Sequence, residues 1–280
     1  MIASAKKSTN VIITIVLSIL AVLFMVPIFL VLLNSFKSRF FISQEPFAFP
    51  NEETFVGLEN YVKGLTSSGF FNAFLRSVFI TVASVVLIVV CTAMISWFLV
   101  RVKNKFTQTL YYGFVFSMIV PFQMVMFTMT YIVGTLNLNN VLGIVFVYLG
   151  FGSGLSVFML SGFIKSIPLE IEEAATIDGC NPLQTFFRVV FPILKPTAIT
   201  VAILNAMWIW NDYLLPYLVL GTDNKTVPVA IQIAMQGAYG STDMGGFMAM
   251  LVLAIIPIII FYVACQKHII KGVIAGAVKG

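Results

Sequence analysis

Hydrogen-bonding and ionisable side chains are scarce in this 280-residue chain, so the few that interrupt its apolar runs carry most of its chemical capacity. Asp212 is the only acid inside such a run, in Asn205-Ala-Met-Trp208-Ile-Trp210-Asn211-Asp212-Tyr213-Leu-Leu-Pro216. A helix through this segment puts Asn205, Trp208 and Asp212 at i, i+3 and i+7 on one face, with Asn211 beside them. Amide, indole and carboxylate together suit hydrogen bonds to hydroxyls and contact with CH surfaces. The same set also suits an anchor at headgroup level, with Asp212 meeting water. A carboxylate at membrane depth costs about 2.5–3.5 kcal/mol on insertion scales, so within a bilayer Asp212 needs a bundle interior or a wet cavity. Gln123, two residues after Pro121 in another apolar run, marks either a path-lining break or a kink used for packing.

The second concentration of polar chemistry is the stretch 165–196, the longest polar interruption in the second half of the chain. Pro168 suits a first helical turn, and Glu170, Glu172 and Glu173 place negative charge where a helix N-terminus favours it. Gly179 ends that helix. Asn181 caps a second helix that opens on Pro182 and runs into breaks at Pro192 and Pro196. Asp178, at the unfavourable end of the first helix, is expected to serve the corner by accepting amides of the second. Three carboxylates would be repelled by an anionic leaflet and suit a protein partner bearing Arg or Lys. Ala174 and Ala175 offer a small surface on which another backbone approaches closely.

Other chemistries find little support. Cys91, Cys180 and Cys265 lie far apart without metal-ligand spacing, and their odd number argues against a disulfide framework. No metal site and no catalytic residue is expected. Gly152-Ser153-Gly154 lacks the first glycine of a nucleophile motif, and the sole histidine is His268. No phosphate-binding loop with a Gly-Lys pair occurs. The net charge of +5 is not gathered into a basic patch with stacking aromatics, so nucleic acid is not an expected partner.

The elements that must position these groups are membrane helices. The chain is 60% hydrophobic and 10% charged, far below the ~25% charge of soluble domains. This predicts an all-α integral membrane protein in contact with lipid, with spans over 11–33, 73–100, 106–133, 141–164, 197–220 and 247–266. The first run has 23 uncharged residues, about 35 Å of helix at ~1.5 Å per residue, too long for the apolar core of a signal peptide. Residues 34–72 and 221–245 read as polar links. Gly150-x-x-x-Gly154 permits close helix contact, and the cysteines read as packing residues. With a cytoplasmic N-terminus, one side holds Lys6, Lys7, Arg101, Lys103, Lys105, Lys165, Arg188, Lys195, Lys267, Lys271 and Lys279, and the other only Lys37, Arg39, Lys63, Arg76 and Lys225. The positive-inside rule selects that orientation, with both termini and the 165–196 loop cytoplasmic.

At this point a family resemblance emerges. Glu173-Ala174-Ala175, three residues, Gly179, nine residues and Val189-Val190-Phe191-Pro192 resembles the EAA loop of ABC importer permeases, whose pattern ends in Ile-x-Leu-Pro. Ile177-Asp178-Gly179 and Pro196 are similar to the oligosaccharide, maltose-transporter-like branch of carbohydrate uptake. Asn60-Tyr61, the Trp210-Asn211-Asp212-Tyr213 segment and the Gly276-Ala277-Val278-Lys279-Gly280 ending resemble further family motifs. Arg76-Ser77 stands where the family commonly has Asn-Ser.

The resemblance implies a type I importer permease fold in a prokaryotic cytoplasmic membrane, with 34–72 external. It implies a cytoplasmic coupling loop in which Glu173, Ala174, Ala175, Asp178, Gly179 and Pro192 engage a separate ATPase. Lys279 would reach between paired ATPase subunits. The other expected partners are a second homologous permease, two ATPase subunits binding ATP and Mg2+, and an extracytoplasmic sugar-binding protein. This chain would hold no cofactor itself, and Gln123, Asn205, Trp208, Asn211 and Asp212 would be candidates for the sugar path. The alternative is an ion-coupled sugar symporter using Asp212.

Overall fold

The computed structural model describes residues 2–67, 69–236 and 243–277, with side-chain surroundings for 11–66, 69–236 and 243–267. Lys279 and the end of the tail motif lie outside the described residues. Among the described residues every regular element is helical, and the one ladder contact is an isolated bridge between Lys37 and Phe55.

In chain order, α1 (Ile2–Asn34) is followed by α2 (Arg39–Gln44) and α3 (Glu59–Ser67), which occupy the expected first link. Next come α4 (Phe70–Arg101), α5 (Lys105–Ile119), α6 (Phe122–Thr135) and α7 (Gly143–Ile164). The corner is built by α8 (Glu170–Ile177) and α9 (Pro182–Thr185), and a π-helical stretch (Phe186–Val190) leads into α10 (Phe191–Asn211). The chain closes with α11 (Leu214–Leu220), α12 (Val227–Gln236) and α13 (Met244–Ala277).

Among the described residues, five segments are long and apolar enough to cross a membrane: Val11–Asn34, Phe70–Arg101, Gly143–Ile164, Pro182–Asn211 and Met244–Lys267. The expected third span, 106–133, is not one rod. Its halves α5 and α6 meet at 109°, and the pair makes a sixth crossing only if counted together. Pro121 causes the break: it forces Val120 out of the helical region, to ψ 120°, and supplies no amide of its own. The expected fifth span, 197–220, is also interrupted, at Asp212, where ψ turns to 121°. The polar link at 221–245 contains α12, which Pro228 opens in its first turn.

Contacts divide the chain into two units, residues 1–71 with 230–257, and residues 72–229 with 258–280. In the first, the link after α1 is held by buried polar groups. Asn60 donates through Nδ2 to the carbonyls of Ser35 (2.9 Å) and Lys37 (2.8 Å), and Lys37 Nζ donates to the carbonyl of Glu45 at 2.8 Å. Burial pulls the Lys37 ammonium below its ordinary pKa, and the nearby Glu45 charge opposes that shift.

In the second unit, α7 is the central helix. One apolar cluster joins Ile80 and Ile88 of α4 to Ile144 and Tyr148 of α7, Ile209 of α10 and Leu215 of α11. The other joins Val89 and Ala93 to Leu160 and Ile164, and reaches Phe186, Val190 and Leu194 at the start of the α10 rod. Helix contact relies on a different glycine pair from the one expected. A Cβ on Gly152 would meet Ile88 Cδ1 at 2.6 Å and Asn205 Oδ1 at 2.7 Å, and one on Gly154 would meet Phe114 O at 2.8 Å, whereas Gly150 faces open space. Gly154 keeps its packing role, and its partner in that role is Gly152.

Candidate functional site

The corner between α7 and α10 is specified almost residue by residue. Gly179, at φ 84°, takes a backbone conformation that L side chains rarely adopt. It closes α8 with paired bonds, Gly179 N–H to Thr176 O (3.0 Å) and Cys180 N–H to Ala175 O (3.0 Å), a Schellman end. Asn181 then opens α9 with a reciprocal capping box: its Oδ1 accepts the Gln184 amide and Gln184 Oε1 accepts its own, both at 2.9 Å. Asp178 does not take the capping part expected of it. Its side chain is exposed, and the cap belongs to Asn181.

Pro192 and Pro196 do not break the second helix. Wider bonds such as Phe191 N–H to Phe186 O carry the helix up to Pro192, which stands in the first turn of α10, and the rod runs on with Pro196 inside it. Both prolines are exposed.

The three acids of α8 have different fates. Glu170 and Glu173 are exposed, and with Ala174 and Ile177 they form an i, i+3, i+4, i+7 face. Glu172 turns the other way and is buried beside Ala175. Arg101, the last residue of α4, donates to Glu172 Oε1 from Nε (2.9 Å) and Nη2 (2.7 Å), and Trp97 Nε1 donates to Oε2 at 2.9 Å. Arg101 Nη2 also donates to the carbonyl of Ile167 at 3.0 Å. The Trp97 ring lies 5.6 Å from that of Phe186. The corner is thus bolted to the end of α4, and a cavity of about 600 Å³ opens beside it between Trp97, Leu169, Glu173 and Pro182.

Sequence reasoning missed the Arg101–Glu172–Trp97 lock. It also treated Ala174 and Ala175 as one surface, whereas Ala174 is exposed and Ala175 is buried. The signal was present in the phasing: residues 172 and 175 share one face of α8, and residues 170, 173, 174 and 177 share the other.

The intramembrane residues do not form the single helical face expected of them, because α10 ends at Asn211. Asp212 Oδ1 accepts the amides of Leu214 (3.0 Å) and Leu215 (3.3 Å), starting α11, and its Oδ2 accepts from the Tyr148 hydroxyl at 3.1 Å. Tyr148 is fully buried and meets Trp208 edge to face, with centroids 5.4 Å apart. Asn205 is buried between helices, its Nδ2 donating to Ser156 Oγ (3.1 Å) and Val201 O (2.9 Å). Asn211 is exposed and donates back to Met207 O at 2.7 Å. Gln123 is exposed in the first turn of α6, just past the 109° break. Tyr148, Trp208 and Asp212 therefore form one cluster, while Asn205 serves the α7–α10 contact and Gln123 stands apart on another element.

A chain of membrane-length helices whose acidic two-helix corner is bolted to the end of α4 has the build of a transporter's membrane subunit. Residues 90–275 match the family described as binding-protein-dependent transport system inner membrane component, and the chain belongs to that family, as a permease of the carbohydrate-uptake ABC type in the cytoplasmic membrane. It is 37% identical over 262 residues to the probable starch degradation products transport system permease protein AmyC of Thermoanaerobacterium thermosulfurigenes, covering 93% of this chain and 94% of that one. It is 36% identical over 270 residues to the multiple sugar-binding transport system permease protein MsmG of Streptococcus mutans, covering 95% of each. A bacterial ABC transporter involved in import of the acidic polysaccharide alginate shares the fold, with a TM-score of 0.79 at 22% identity over 94% of this chain and 97% of that one.

Proposed function

We propose that this chain forms one half of the membrane pathway of an ABC importer for a small oligosaccharide, with six crossings and both termini cytoplasmic. Its other half is a second, homologous permease. Two ATPase subunits bind ATP and Mg2+ and receive the exposed α8 face of Glu170, Glu173, Ala174 and Ile177. An extracytoplasmic binding protein delivers the sugar. The single observation that carries this reading is the corner itself: one face is presented outward while the other is locked to α4 through Glu172, and the same backbone continues as the α10 rod. Closure of the ATPases on ATP would move that corner as a rigid lever and switch the two halves between inward- and outward-open states.

The relatives named for starch degradation products and multiple sugars support a carbohydrate substrate. Purification in mild detergent tests the assembly. The expected result is co-elution with a second permease and a pair of ATPase subunits, and uptake that requires all of them. Transport by the isolated chain would overturn the reading.

A further inference from the structure

A second cavity, of about 670 Å³, lies where α4 ends, α5 begins and α7 ends, within the second unit. Its charged lining is Arg101, Lys103 and Lys165, and it contains no carboxylate. Asn104 and Thr107, which form the capping box of α5, are also at its wall, so the positive end of that helix adds to the field. Arg101 is partly neutralised by Glu172, while Lys103 and Lys165 are exposed, and Lys165 Nζ rests 5.3 Å from the centroid of the Tyr111 ring. At the floor is Ser161, fully buried, whose Oγ has no hydrogen-bond partner among the described residues. A buried hydroxyl left unpaired is costly, and Ser161 belongs to the lining of a cavity rimmed by cations.

The position of the cavity narrows the ligand. α4 and α7 are membrane-length rods and the cavity sits at their ends, with Ser161 about one turn before Lys165 along α7. The ends of membrane-length helices fall near headgroup depth. Leu99, Val100 and the exposed Tyr112 offer an apolar wall beside the cations. Basic pockets of this kind between membrane helices suit anionic lipid headgroups.

We propose that this cavity binds the phosphate of an anionic phospholipid, with Lys103 and Lys165 as charge partners and the Ser161 hydroxyl as donor. Because Arg101 lines the cavity and also holds Glu172, the bound headgroup abuts the bolt that fixes the corner. Membrane charge would then bear on the coupling element directly.

The test uses the full chain with its bound partners, extracted in mild detergent from phosphatidylcholine vesicles containing phosphatidylglycerol, with native mass spectrometry counting retained phosphatidylglycerol. Wild type is expected to retain it. Lys103→Gln with Lys165→Gln is expected to lower retention roughly 30-fold, from the loss of two surface charges. Ser161→Ala should lower retention by a smaller factor. Lys105→Gln, which removes a cation outside the lining, should retain lipid like wild type. Equal retention in wild type and the double variant would overturn the proposal, as would an equal loss in Lys105→Gln, which would mean surface attraction alone. Displacement of the lipid by millimolar inorganic phosphate would reassign the site to a soluble anion. A cross-link from position 165 to an ATPase subunit with no retained lipid would give the cavity to a protein carboxylate. Partner co-elution is scored separately in the same spectra, so this proposal and the importer assignment fail independently.

Discussion

Replacing Glu172 by Ala removes the bolt between the corner and α4, and the structure sets the size of the effect. Exposed ion pairs contribute at most about 1 kcal/mol, but the side chains of Arg101 and Glu172 are only 19% and 8% exposed. Two guanidinium N–H groups converge on Glu172 Oε1, and the second carboxylate oxygen is taken by Trp97. Truncating one partner of such a pair leaves an uncompensated buried charge and costs about 3–5 kcal/mol. At 1.4 kcal/mol per tenfold, the docked state of the corner falls by roughly two to three and a half orders of magnitude relative to the undocked one. Hydrogen exchange reads this locally: amides of 170–185 should exchange faster by up to that factor, while those of α7 stay protected. The double variant Arg101→Met with Glu172→Met should recover most of the protection, because an apolar pair of similar volume often replaces a buried ion pair at little cost. Unchanged exchange in Glu172→Ala, or a double variant as loose as the single one, would refute the lock.

Gly179→Val should strain the corner by about 1–2 kcal/mol through its φ of 84° alone, since a Cβ there meets open space; reduced ATPase co-elution with normal membrane insertion is the expected readout. Gly152→Ala should cost about 1–3 kcal/mol through contact with Ile88 and Asn205, and Gly150→Ala should be close to neutral, a contrast measurable as thermal stability in detergent. Asp212→Ala should destabilise the start of α11 by about 1 kcal/mol and weaken uptake, whereas Asp212→Asn retains the capping oxygen and should transport nearly as well. Abolished uptake in Asp212→Asn, with the protein folded, would instead favour the ion-coupled reading.

Much of the scaffold was legible because apolar runs long enough to cross a bilayer leave few alternatives to helix. The corner was legible for a different reason. Gly179 and Asn181 act through local geometry, and local geometry is written locally. What escaped the sequence depended on distant partners or on competition between signals. Glu172 looked like one of three equivalent acids because its inward turn depends on Arg101, 71 residues earlier. The break at Asp212 was hidden by continuous apolarity on both sides, although an acid two residues ahead of Leu214 is an ordinary helix-start signal. Pro192 read as a stop because a proline inside an α-helix normally costs a bond, and the wider π bonding that leads into it has no composition of its own.

The five residues from Phe186 to Val190 give the corner a particular mechanical character. Because α9 passes into α10 without a loop, the proposed stroke of the ATPases would reach α10 through continuous helical backbone. The wide turn and Pro196 are points at which that backbone departs from regular α-helical bonding.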